Sequence, residues 1–173
     1  MIFVLIDILI VRRFGMKKKT ACFTGHRKIA IEQRKIVAER LKNTVESLIS
    51  EGYRYFGTGG ALGFDTLAAQ CILYLKKQYP YIKLILVLPC KTQTRDWKSE
   101  DIAIYERIKA QADKVVYTSR EYTRDCMFRR NRHLVDNSSI CIAYLTKNKG
   151  GTAYTVNYAK KLGVTVINIA DQN

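Results

Sequence analysis

The sequence predicts a doubly wound α/β fold, a mostly parallel sheet with helices on both faces. Three observations carry that expectation. Short apolar runs alternate with helix-period segments from Thr20 onward, the order that builds right-handed crossover units. The run Ile82 to Leu88 shows no polar alternation, as expected of a parallel strand buried on both faces. Three glycine turns, at Gly25, at Gly57 to Gly63 and at Gly150-Gly151, each follow a strand and precede a helix. All three therefore fall on one rim, at the carboxyl ends of the strands, where such folds open their crevice.

Residues 1–18 form an apolar and basic leader, and 19–173 a single domain. Met1 to Val11 is apolar except for Asp7, and Arg12-Arg13 follow. That run is too short to span a bilayer and lacks the basic start and small-residue cleavage site of a secretory signal. The preferred reading is a spurious upstream start, with Met16 as the initiator. If translated, the leader is an extra strand, a short helix or a weak membrane-surface tether.

The first strand is Thr20 to Thr24, followed by the turn Gly25-His26-Arg27-Lys28. Ile36, Val37, Leu41, Val45, Leu48 and Ile49 then recur at helical spacing, so Glu32 to Ser50 is an amphipathic helix, stopped by Gly52. Tyr53 to Phe56 is an aromatic strand. It runs into the glycine-rich turn and an Ala/Leu-rich helix that ends near Pro80. After the strand Ile82 to Leu88 comes the longest loop, Pro89 to Trp97, then a helix Ser99 to Ala112 and a strand Lys114 to Thr118. The next helix carries Met127 to Asp136. Ser139 to Leu145 is a strand, Ala153 to Leu162 a helix ended by Gly163, and Val164 to Ile169 the closing strand.

Charge and cysteine usage narrow the class of protein. Thirty Lys and Arg against fifteen Asp and Glu give +15, which favours anionic partners: nucleotides, single-stranded nucleic acid or an acidic protein surface. Low-specificity solubility is the plainer alternative. The five cysteines, Cys22, Cys71, Cys90, Cys126 and Cys141, form no C-x-x-C pair and lie away from both histidines. They fit reduced core residues of a cytosolic protein, with no metal site and no cofactor expected.

The central turn carries four glycines in seven positions, Gly57, Gly59, Gly60 and Gly63. They let the backbone approach another molecule closely, and the amides at the head of the next helix favour an anion. The spacing matches neither the dinucleotide nor the P-loop motif. A tight structural turn with Asp65 as N-cap is the rival reading. Arg27 is a phosphate partner or a rim salt bridge. Arg129 and Arg132 share a helix face at i, i+3, but Asp125 and Asp136 stand four residues away and can neutralise them. His26 is a site residue or a turn hydrogen-bonder. Trp97 stacks on a base or packs under its loop. Thr152 fits an N-cap that can also donate to a phosphate.

Four stretches together resemble a known family. They are Thr24-Gly25-His26-Arg27, Gly59 to Asp65, Arg130-Asn131 with Val135 to Ser138, and Gly150-Gly151-Thr152 with Tyr158-Ala159. In this order, with Gln93 and Trp97 also in place, they resemble the YpsA-like branch of the SLOG superfamily, named for the Smf/DprA DNA-processing proteins and the LOG phosphoribohydrolases. The resemblance runs from about Lys19 to Ile169. It implies a Rossmann-like fold that binds nucleotides or nucleotide-derived ligands through Gly25, His26, Arg27, Gly59, Gly60, Gly63, Asp65, Gly150, Gly151 and Thr152. The sequence departs from LOG where that motif carries a glutamate: the position is Thr155, and Ala153 to Leu162 contains no acid. Glycosidic hydrolysis needs such a carboxylate, and Asp65 is the remaining candidate.

Three functions are therefore expected in order: a cytosolic nucleotide-binding or sensing domain, a nucleotide N-glycosidic or phosphate hydrolase, and a single-stranded nucleic-acid binder like DprA. Homo-oligomerisation is left open.

Overall fold

A computed structural model describes residues 15–170 of the chain. The elements are β1 (Thr20–Gly25), a 3-10 turn (Ile31–Gln33), α1 (Arg34–Ser50), β2 (Tyr55–Thr58), α2 (Phe64–Leu75), β3 (Lys83–Leu88), α3 (Ser99–Gln111), β4 (Lys114–Tyr117), α4 (Cys126–Asp136), β5 (Ile140–Tyr144), α5 (Gly150–Lys161) and β6 (Thr165–Asn168). Most of the leader, residues 1–14, lies outside the described residues.

All six strands are parallel, in the order β4-β3-β2-β1-β5-β6. This is a Rossmann-like sheet, and its order reverses between β1 and β5. Strand alternation divides the core into two layers. Ala21, Phe23, Leu84, Leu86 and Leu88 face the layer covered by α1, α2 and α3. Cys22, Val87 and Cys141 face the layer covered by α4 and α5. Each large apolar side chain buried in these layers stabilises the fold by about 1.5–3 kcal/mol. Among the described residues no helix is long and apolar enough to cross a membrane.

Two boundaries differ from expectation in ways that bear on function. The last helix begins at Gly150, three residues early, so Gly150-Gly151-Thr152 is its first turn rather than a loop before it. Thr152 sits inside the helix and does not cap it; no side chain does. Asp65 is likewise the second residue of α2, with Gly63 in the N-cap position at φ +76°.

Candidate functional site

The reversal between β1 and β5 sends their following loops apart and opens a crevice at the carboxyl ends. A cleft of about 350 Å³ occupies that place. Gly25, His26 and Arg27 wall it from the end of β1, Ala61 and Asp65 from the β2 corner, and Lys149 to Thr152 from the head of α5. Met127, Arg130 and Asn131 of α4 close the remaining side. The three glycine corners thus meet on one cavity.

The corners contribute in different ways. At Gly25 a Cβ would run into the ring of Phe64. At Gly60 it would meet Leu88 at 2.7 Å and Tyr105 at 3.4 Å. At Gly59 it would strike the Arg130 guanidinium, and at Gly63 the backbone of Arg27. These four glycines make room for the protein's own groups. Only at Gly150 and Gly151, among the glycines lining the cleft, would a Cβ meet nothing within 4 Å.

The β2 corner is organised from within by Asp65, which is 6% exposed. Its carboxylate accepts the Ala61 amide at 3.2 Å and stands 3.7 Å from Arg130 Nη1. Loop amides expected to face a ligand are turned toward this carboxylate instead. Burial pushes the Asp65 carboxyl up, against the pull of Arg130, the Ala61 amide, Arg27 and the Gly59 amide. Arg130, 5% exposed, also donates from Nη1 to the Gly59 carbonyl. Burial works against its charge, but a guanidinium keeps its proton in protein sites. Its Nε has no hydrogen-bond partner. Gln93, also buried, donates to the Gly60 carbonyl at 3.0 Å and holds the same loop from the far side.

Arg130 was not among the cations singled out by charge spacing, although the spacing contains it. Cys126, Arg130 and Leu134 are all buried and lie four residues apart on α4, so an arginine occupies the middle of an apolar stripe. Arg129 and Arg132 consequently point elsewhere. Arg129 pairs with Asp125 at 2.9 Å, and Arg132 donates to the Tyr154 hydroxyl at 3.1 Å. Both line a separate cleft near the end of β4. Trp97 packs edge-on against Tyr105, with ring centroids 5.5 Å apart, and belongs to the core margin rather than the cleft.

His26 ties two corners together. Its Nε2 accepts the backbone amides of Thr146 at 3.0 Å and Lys147 at 3.3 Å, which requires an unprotonated nitrogen. Burial, and then Lys147, hold the imidazole below its ordinary value. A histidine so lowered contributes stability above its unfolded value and loses it as pH falls through the folded one. Thermal unfolding followed from pH 7.5 to 5 should therefore show a decline in stability that is missing in His26→Ala.

Among the described residues, Asp65 is the only carboxylate lining this cleft. To act on a ligand it would have to leave Arg130 and the Ala61 amide. Among the described residues no group of three potential ligands gathers to hold a metal ion.

The family model described as the YspA SLOG family matches residues 21–167, from β1 to β6. The uncharacterized SPbeta prophage-derived protein YoqJ of Bacillus subtilis is 33% identical over 136 residues, covering 71% of this chain and 80% of that protein. The UPF0398 protein YpsA of the same organism is 27% identical over 128 residues, covering 72% and 71%. Of solved structures, DNA processing protein A (DprA) of Streptococcus pneumoniae superposes with a TM-score of 0.63 at 17% identity over 87% of this chain. DprA of Helicobacter pylori, whose structure addresses its single-stranded DNA binding mode, gives 0.64 at 16% identity over 90%. The chain spans 50% of the first and 66% of the second. At such identities the likeness is one of fold.

Proposed function

This chain belongs to the YspA SLOG family, and from that premise we propose that it is a cytosolic domain that binds a nucleotide or nucleotide-derived ligand in the cleft between β1 and β5. The ligand's phosphate sits on the first amides of α5, with Arg27 and Lys149 at the rim and Arg130 at the base. One observation carries this reading. The head of α5 is uncapped and its glycines open onto space, while Arg130, a buried arginine whose Nε is unpartnered, lines the same cleft. Helix-terminal amides and a guanidinium are both suited to an anionic oxygen. The +15 charge adds long-range attraction.

The test is calorimetric titration with a panel of nucleoside monophosphates on the wild type and on Gly151→Glu. Gly151 has an ordinary φ and no neighbour where a side chain would stand, so the fold should persist. The added carboxylate should lower affinity by about 100-fold, through steric block and like charge at the phosphate seat. Saturable binding that is unchanged in Gly151→Glu would move the phosphate elsewhere, and no binding by any member of the panel would remove the proposal.

Single-stranded nucleic acid is the second reading, favoured by the net charge and by the likeness to the Helicobacter pylori protein. It predicts an affinity for oligonucleotides that falls steeply with salt.

A further inference from the structure

We infer that the ligand of this site is built from two nucleoside units joined through phosphate, and that a second cleft across Arg27 receives the second unit. This inference rests on the reading of the β1/β5 cleft given above. A cavity of about 380 Å³ lies on the other side of Arg27 from the α5 head, and Arg27 lines both. Its walls come from Arg34 at the start of α1, Gly63, Thr66 and Gln70 of the β2 corner and α2, and Asp101 in the first turn of α3.

The chemistry of these walls fits a sugar phosphate. Neither Arg27 nor Arg34 has a carboxylate within ion-pair distance among the described residues. The one hydrogen bond from Arg34, Nε to the Ile29 carbonyl, is stretched to 3.5 Å. Both guanidinium forks remain free for phosphate oxygens. Asp101 supplies an acceptor of the kind that holds ribose hydroxyls, and Thr66 and Gln70 add polar groups beside it. A bare phosphate would gain nothing from Asp101, whereas a ribose linked to a phosphate at Arg27 satisfies both.

The backbone fixes the partition between the clefts. Gly63 lies so close to the Arg27 main chain that no Cβ fits between them. Arg27 is thereby held on the ridge, where its side chain can serve a phosphate shared by the two halves.

The experiment compares adenosine monophosphate, the 5′-phosphorylated diribonucleotide pApA and diadenosine pyrophosphate by calorimetry, on the wild type and on Arg34→Gln. Arg34 is exposed at the first turn of its helix, so the substitution leaves the fold and the first cleft intact. At least one of the two-unit ligands should bind about tenfold or more tightly than the monophosphate, as a tethered second contact does. That gain should vanish in Arg34→Gln while the monophosphate affinity stays unchanged. Which two-unit ligand shows the gain tells a phosphodiester from a pyrophosphate link. Equal affinities for all three, or a gain that survives Arg34→Gln, would overturn the second cleft and leave the first reading standing. Absence of binding by all three would overturn both.

Discussion

Arg130→Ala is expected to destabilise the protein by about 3–5 kcal/mol, because it leaves the Asp65 carboxylate buried without its partner. In a chain of this size that corresponds to a fall in the thermal midpoint of roughly 6–20 °C. Asp65 is 6% exposed and would keep only its amide hydrogen bonds. The Gly59 carbonyl would also lose its donor. The reciprocal change, Asp65→Ala, should cost a similar amount by stranding the guanidinium. Removing both partners together in Asp65→Leu/Arg130→Met should recover part of the loss, since no unpaired charge stays buried, although the Gly59 carbonyl and the Ala61 amide still lose their side-chain partners. Urea denaturation of the wild type, Asp65→Leu, Arg130→Met and their combination closes the cycle. Additive losses in the double variant would show that the two residues act independently. Nucleotide binding should be lost in Arg130→Ala and in the double variant alike, which separates the ligand role of Arg130 from its structural one.

Gly63→Ala should be nearly as damaging for a different reason. Gly63 has φ +76° and ψ −117°, a backbone conformation that L-residues scarcely populate and that costs them about 1–3 kcal/mol. The new methyl would also strike the backbone of Arg27, and overpacking adds about 1–3 kcal/mol. Because main-chain atoms cannot rotate aside as a flexible side chain can, the β1 corner must shift as a whole. The expected result is a loss of stability measured by denaturant together with weakened nucleotide binding, since the shift displaces Arg27. Wild-type stability in Gly63→Ala would show that the corner yields at little cost. Gly151→Ala is the matching control: it adds a methyl into open space at an ordinary φ, and should leave stability within about 0.5 kcal/mol of wild type.

Periodicity made the fold legible because each segment carries its own environment in its pattern. The unbroken apolar run ending at Leu88 could only be a strand covered on both sides, and Val37, Leu41, Val45 and Leu48 could only share one helix face. The position of the cleft followed from the same logic, since glycine turns after strands fall on one rim. The duties of the individual glycines did not follow. What fills the space at Gly25 is Phe64, and what fills Gly59 is Arg130, partners far along the chain that no local spacing names. The cation of the site was readable in principle from the stripe Cys126, Arg130, Leu134, but an arginine within an apolar stripe looks like an interruption until its carboxylate partner is known. Asp65 looked like a cap because capping is the commonest local duty of an aspartate at a helix head. Its reach back to Ala61 depends on the path of the loop.

Beside the His26 side chain, the three corners are joined by main-chain ties: the His26 amide to the Tyr144 carbonyl at 3.3 Å and the Phe64 amide to the His26 carbonyl at 3.2 Å. A frame braced by peptide groups tolerates exchange of the side chains that project from it. Relatives can therefore change their chemical preference through replacements at positions such as Arg27, Asn131 or Lys149 without rebuilding the scaffold, and divergence of ligand within a common architecture becomes the natural evolutionary course for proteins of this design.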